Sequence, residues 1–373
     1  MPALTDDILA ELPSPLAVTS RTFAQAARAR RTPERDALTA YRAFHQRPTD
    51  AMPWSVPTPT TIHESQGPEG ITRKFLLPVR GVDAPKNPRA LPIAGQDDTL
   101  ETESVVIPMR TRGGASRTLC VSSQVGCAMG CEFCETAQMG LLRSLDVSEI
   151  VQQWWAATHH LQQPVRNIVF MGMGEPLDNP ENVLRAIEIL TDDRGPALAM
   201  RRITISTVGR LDGLAMLAER VRTHGWKQLN LAVSVNAPND EIRDTIMPIN
   251  RGMPLGELVR MLEAWPLSTG KAICAEYVLI PGVNDADEHA DELASRLKNV
   301  RCCVNVIPYN PRRDSPWPAP EESSVDRFLA RLESNGQFCK RRRTKGRDTM
   351  AACGQLGNEK IRKRRYVAVS SGP

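Results

Sequence analysis

The segment Cys127-Ala-Met-Gly-Cys131-Glu-Phe-Cys134 brings three thiols together at CxxxCxxC spacing. Thiolates are soft ligands that suit zinc or iron-sulfur clusters. A structural zinc site wants four ligands, often as paired CxxC knuckles, yet only three cysteines cluster here and no histidine follows at finger spacing. A cubane holds four irons, so three local thiolates leave one iron without a protein ligand and open to a substrate group. On spacing alone both a zinc knuckle and an open iron-sulfur cluster stand. The other six cysteines are Cys120, just ahead of the triplet, then Cys274, Cys302, Cys303, Cys339 and Cys353. Isolated thiols of this kind are most often small core residues.

These thiols need elements to hold them. From about Glu101 the chain alternates β-rich runs with helical segments, and six strands are predicted: SRTLCVSS, RNIVFMGMG, RRITISTVG, QLNLAVSVN, AICAEYVLI and CCVNVIPYN. Between them the helical segments are VSEIVQQWWAATHH, ENVLRAIEIL, LDGLAMLAERV, LGELVRMLEAW and DEHADELASRL. In the first, Ile150, Val151, Trp154 and Trp155 form an apolar stripe, with Asp146 and Glu149 placed as an N-cap and its N3 partner. His159 and His160 end that helix and read as surface or capping groups. The alternation implies right-handed βαβ units and a parallel sheet, open or partly closed into a barrel. The cysteine triplet then lies in a loop at a strand's carboxyl end, where such folds keep their chemistry. Residues 1–95 are Pro-rich and irregular, with one helical stretch near Ser20 to Gln46 and a loop-like PWSVPTPTT.

With 373 residues, 41% of them hydrophobic, 24% charged and 5% aromatic, the chain has enough to bury a large core, which excludes a small disulfide-stapled fold and a disordered chain. No apolar run is long enough for a membrane span. Acids and prolines in the first residues, MPALTDDILAELPSPLAVTS, do not fit a secretory signal. A cytoplasmic, reducing location follows, where clustered thiols serve as metal ligands or catalysts more often than as bridges. Charge is uneven: Lys340 to Arg365 holds eleven Lys or Arg against Asp348 and Glu359, a net of +9 in a chain whose total is +4. Such a run is either a solvated tail or a phosphate-binding surface.

CxxxCxxC is the signature of the radical S-adenosylmethionine (SAM) superfamily. More narrowly, CVSSQVGCAMGCEFCETAQMGLLRSLDVSEI, the strand end MGMGEP and the late AACGQL together resemble the RlmN/Cfr family of RNA adenine methyltransferases, over roughly Glu103 to Arg365. The resemblance implies a partial (β/α)6 radical SAM barrel with a small N-terminal accessory region, residues 1–95, and a basic C-terminal extension, residues 339–373, around a core of residues 96–338. It implies a 4Fe-4S cluster on Cys127, Cys131 and Cys134, with SAM chelated at the fourth iron. Gly174 and Glu175 match residues that contact SAM, at its amino group; Ser206, Ser234, Val235 and Asn236 match further SAM contacts, and Asn310 an adenosyl contact.

Carbon 2 or carbon 8 of adenine is an electron-poor carbon without a lone pair, so it cannot attack a sulfonium methyl directly. The family route answers this with radicals. It implies that Cys353 takes a methyl group from one SAM, that the adenosyl radical from a second SAM abstracts hydrogen from this S-methyl group, and that the resulting carbon radical adds to the ring. Glu103 matches the family's proton acceptor, and Cys120 matches the residue that breaks the thioether link through a transient disulfide with Cys353. Cys274, Cys302, Cys303 and Cys339 match no such role and read as packing residues. The expected partners are rRNA or tRNA and an electron donor such as flavodoxin or ferredoxin, with the enzyme a monomer.

The chain departs from the family in places. Where the family reads Ser-Leu-His, it has Ser234-Val235-Asn236, and asparagine cannot titrate. Val208 replaces a common serine, and the first hundred residues match the family's RNA-recruiting domain only in GITRKFLLPV. The favoured product is adenosine methylated at carbon 2, the runner-up carbon 8 or another RNA site. A different class of reading is a non-catalytic zinc or iron-sulfur RNA-binding protein, which has no use for Cys120 and Cys353.

Overall fold

The six predicted runs all form strands, and they pair in chain order. The computed structural model describes residues 6–81, 100–111, 114–223, 225–342 and 345–357. Its strands are β1 (Thr61–Gly67), β2 (Gly70–Val79), β3 (Leu100–Thr111), β4 (Gly114–Cys120), β5 (Gln124–Val125), β6 (Arg143–Ser144), β7 (Val165–Phe170), β8 (Ile203–Thr207), β9 (Asn230–Ser234), β10 (Ile273–Leu279), β11 (Cys302–Pro308) and β12 (Cys339–Arg341). All but β5 and β6 join one ten-stranded sheet in the order β1-β2-β3-β4-β7-β8-β9-β10-β11-β12. The first four pair antiparallel, and every pairing from β4 to β12 is parallel. A parallel sheet wound in one direction by right-handed crossovers keeps its helices on one face, so the twisted sheet curls around the other as a partial barrel.

Alternation along the strands divides helix-facing core from bore. On β11, Val304 and Val306 are buried toward the helices, while Cys303 and Asn305 are half-buried on the opposite face. The same period buries Ile203 and Ile205 of β8 and turns Thr204 and Ser206 inward. Ile150, Val151, Trp154 and Trp155 are core as expected, on a helix (Val147–Trp155) started by the Asp146/Glu149 capping box.

Three expectations need correction. The stretch Ser20 to Gln46 is two helices, Ser20–Ala29 and Glu34–Gln46, because Pro33 has no N–H to continue a helix and Arg31 turns left-handed at φ 59°. A seventh parallel strand, Cys339–Arg341, lies in the basic run, where its charges hid it from an apolar-strand reading. Cys302 and Cys339 are buried, but Cys274 and Cys303 are half-buried neighbours on the bore face.

The N-terminal helices pack through Phe23, Ala27, Ala37 and Tyr41 and dock on the barrel where Phe44 stacks on Trp155 at 5.7 Å. His159 is half-buried in this joint while His160 is at the surface as expected, their Nε2 atoms hydrogen-bonded to the His45 and Val56 carbonyls at 3.0 and 3.3 Å. The β1-β2 hairpin, which contains GITRKFLLPV, continues the barrel sheet through β3. No described helix is long and apolar enough to cross a membrane.

Candidate active site

The cysteine loop begins where β4 and β5 end, and its glycines make the turn possible. Gly126 has φ 79°, and a Cβ there would sit 1.8 Å from the Gly140 carbonyl oxygen, which instead accepts the Cys127 N–H at 3.1 Å. Cys134 closes the loop, its N–H on the Cys131 carbonyl at 3.1 Å, and starts the short helix Glu135–Met139. Burial pushes the Cys127 thiol up to about 12 and raises Cys131 and Cys134 as well, and the nearby sulfurs add to the shift at Cys127 and Cys131. Three thiols gathered at one pocket, their pKa values raised by burial, are a donor set for a soft cation.

The pocket around them collects the ends of β7, β8 and β9. Cys127, Cys131, Cys134, Gly174, Glu175, Ser206, Ser234 and Cys353 all line it. Gly174 has φ 93°, and a Cβ there would fall 2.5 Å from the Gln124 Cβ, so only glycine lets this strand end approach β5. Glu175 is 2% exposed and accepts the Val208 and Leu177 N–H groups at 2.9 and 3.0 Å. Burial nevertheless pushes its carboxyl up to about 7. A cationic group brought against it would offset that penalty.

Other expected contacts are placed differently. Val235 is buried, held by backbone bonds, and Asn236 sits left-handed at φ 59° with its Oδ1 accepting the Val278 N–H at 2.8 Å. Its Nδ2 donates to the Met247 sulfur at 3.3 Å, so this side chain fastens β9 to β10 and does not line the pocket. Asn310 faces the bore, its Nδ2 donating to the Cys353 carbonyl at 3.4 Å. Glu103 is 3% exposed on β3, accepting the Gly357 N–H at 3.1 Å with Lys74 Nζ at 3.7 Å; burial raises its pKa. It lines neither cavity, because the C-terminal segment covers it.

That segment is stitched down by Glu135 N–H to the Gly354 carbonyl (2.7 Å), Thr136 Oγ1 to the Leu356 carbonyl (2.5 Å) and Gln355 Nε2 to the Pro311 carbonyl (2.9 Å). These bonds bring Cys353 beside the triplet and within electrostatic reach of Cys120. Burial, then Cys353, pushes the Cys120 thiol up to about 12, while Arg342 lowers both thiols. All these cysteines are free.

Two groups escaped sequence reasoning. Glu276, 5% exposed on β10, accepts Ser206 Oγ at 2.8 Å and Arg342 Nη1 at 3.0 Å, joining the pocket to the two distant thiols. Arg243, 1% exposed, donates to the Val235 carbonyl (3.0 Å), the Val208 carbonyl (2.7 Å) and Asn250 Oδ1 (2.8 Å), locking the loops after β8 and β9. Neither belongs to a motif; each is recognisable only by its buried partners. The basic run also differs from expectation. Arg341 pairs with Glu322, Arg342 with Glu276 and Lys345 with Glu69, so these cations are already engaged. Residues 343–344 and 358–373 of that run lie outside the described residues.

Residues 121–294 match the radical SAM superfamily. The chain is 46% identical over 268 residues, 72% of its length and 73% of the relative's, to a probable dual-specificity RNA methyltransferase RlmN 1 of Protochlamydia amoebophila. It is 47% identical over 259 residues, 69% of its length and 72% of the relative's, to the dual-specificity RNA methyltransferase RlmN of Geotalea uraniireducens. The chain belongs to the RlmN/Cfr family. A radical SAM methyltransferase structure from Sphaerobacter thermophilus superposes with a TM-score of 0.77 at 34% identity, covering 91% of this chain and 98% of that one. This RlmN/Cfr protein is therefore a radical SAM RNA methyltransferase, and its family uses a 4Fe-4S cluster and SAM.

The donors fit a cluster: Cys127, Cys131 and Cys134 line one pocket with no histidine among its lining residues, and a cubane takes one thiolate per iron from such a loop.

Proposed function

We propose that this enzyme methylates carbon 2 of an adenosine in large-subunit rRNA, in tRNA or in both, through an S-methyl intermediate on Cys353. The observation that carries the reading is that Cys353 lines both the pocket of the cysteine triplet and the larger bore beside it. A thiol at that junction can receive a carbon unit on one side and deliver it on the other.

The cluster and SAM, when bound, supply the methyl group and a 5′-deoxyadenosyl radical, with two SAM used per turnover. Cys127, Cys131 and Cys134 hold the cluster. Glu175 takes the SAM ammonium beside Gly174, Ser206 and Ser234 line the same pocket, and Val235 and Asn236 shape it through their backbone. Asn310 fixes the Cys353 segment. Cys353 sulfur carries the methyl carbon to the ring, and Glu103 accepts the ring proton once the Gly357 amide lifts from it. With the adduct's unpaired electron passed to the electron carrier, Cys120 attacks the Cys353 sulfur, forming a disulfide as the carbon–sulfur bond breaks and the released methylene takes up a proton to give the methylated base. A flavodoxin or ferredoxin supplies electrons, the enzyme works as a cytoplasmic monomer, and residues 1–95 assist RNA recruitment. The dual-specificity name carried by the relatives supports more than one RNA as substrate.

The test is anaerobic reconstitution with iron and sulfide, then incubation with SAM, a reductant and RNA. Digested RNA is expected to contain 2-methyladenosine. A purely 8-methyl product would reassign the carbon, and protein that takes up zinc but no iron would sink the catalytic reading.

A further inference from the structure

A basic feature left unexplained lies at the opposite end of the barrel from the cysteine loop. Arg201 and Arg202 immediately precede β8, and Lys271 precedes β10. Arg201, Arg202 and Lys271 have no carboxylate partner among the described residues; Arg202 Nη1 donates to Asn167 Oδ1 at 3.1 Å and Lys271 Nζ to Asn230 Oδ1 at 2.6 Å. This contrasts with the paired Arg341, Arg342 and Lys345.

From Arg201 and Arg202 a single cavity of about 610 Å³ runs inside the barrel, past Thr204 and Asn305, to Cys353. That volume suits a nucleotide, since ligand pockets span about 300–1,000 Å³. Asn305 makes no side-chain hydrogen bond among the described residues, so its amide is available to a base edge. Unpaired guanidinium groups at one end, amide and hydroxyl groups along the wall and a thiol at the far end are the features a phosphate-linked base needs.

We propose that the target RNA strand docks at the starting ends of the barrel strands, its phosphate held by Arg201 and Arg202, and that the flipped nucleotide threads the bore past Thr204 and Asn305 to Cys353. This rests on the enzyme acting on RNA as proposed above. The test takes a hairpin RNA that the wild-type, cluster-reconstituted enzyme methylates, used unchanged to read methylation, and a copy with 2-aminopurine in place of the target base to read entry. No aromatic ring of the described residues lines the cavity, so the unstacked probe brightens when it enters. The double variant Arg201→Gln/Arg202→Gln is expected to bind on the order of tenfold more weakly and to lose about 0.7 from the salt slope, one single-strand phosphate contact. Arg201→Lys/Arg202→Lys is expected to restore the slope. Thr204→Met, filling the bore without an aromatic ring, is expected to keep the wild-type slope but lose both brightening of the probe RNA and methylation of the unsubstituted RNA. Wild-type brightening and methylation by Thr204→Met, or an unchanged slope with only a lower melting temperature in the double glutamine variant, would overturn the proposal. Failure of the wild-type enzyme to methylate any RNA would instead reject the function on which it rests.

Discussion

The two ends of the barrel carry opposite chemistries. Where the strands end, thiols, glycines and the buried carboxyls of Glu175 and Glu276 crowd one pocket. Where they begin, Arg201, Arg202 and Lys271 stand without carboxylate partners among the described residues. The difference teaches that a count of cations along the chain says little about which of them the fold leaves without a carboxylate partner. The run beginning at Lys340 is the richest in cations, yet Arg341, Arg342 and Lys345 are engaged by Glu322, Glu276 and Glu69. A cation already paired gains less from a phosphate than one that is not.

Changes at the carboxyl ends should stop chemistry while sparing RNA affinity, and the thiols give the largest effect. Cys353→Ala is expected to bind the cluster yet drop methyl transfer to background, measured by mass spectrometry of digested RNA. Cys120→Ala should accumulate a covalent protein-RNA adduct visible on a denaturing gel. Normal turnover by either variant would break the contrast between the two ends.

Glycine and carboxyl changes sharpen it. Gly174→Ala places a Cβ 2.5 Å from the Gln124 Cβ at a φ of 93°, and the strain should cost about 2 kcal/mol and abolish SAM binding. Urea unfolding and calorimetric SAM titration read the two effects. Glu175→Gln keeps one backbone acceptor but loses the anion, so SAM affinity should fall on the order of tenfold while the RNA salt slope stays unchanged.

The smallest effect lies away from both ends. His45 is 1% exposed, its Nε2 hydrogen-bonds to the Pro15 carbonyl at 3.2 Å, and its Nδ1 has no partner among the described residues. Burial lowers its pKa from 6.5 to about 4. The unfolded chain therefore binds the proton first, and stability should fall by about 3 kcal/mol as pH drops from 6.5 to 4, then level off. Trp154 and Trp155 fluorescence during urea unfolding at several pH values measures this, and His45→Asn should flatten the dependence.

Much of the fold was legible because its signals are local. Strand-helix alternation fixed the parallel sheet, and Asp146 with Glu149 marked a helix start that the structure shows as a capping box. The break at Pro33 was missed because flanking helical residues masked it, and Cys339–Arg341 was missed because a short edge strand tolerates charge. Of the site, Gly174, Glu175, Ser206 and Ser234 were readable through motifs at strand ends and line one pocket. Asn236 was readable only as a position; its amide is spent on Val278 and Met247.

The sequence by itself determined the spacing of Cys127, Cys131 and Cys134 and the α/β alternation, since loop reach and residue period are properties of neighbouring residues. The family resemblance already linked Cys353 with Cys120; only the tertiary structure put Glu276 and Arg342 within electrostatic reach of both and decided which cations, among the described residues, have a carboxylate partner. Those contacts link residues far apart in the chain. They exist because a sheet wound in one direction, and a tail folded back across it, bring distant side chains to one cavity.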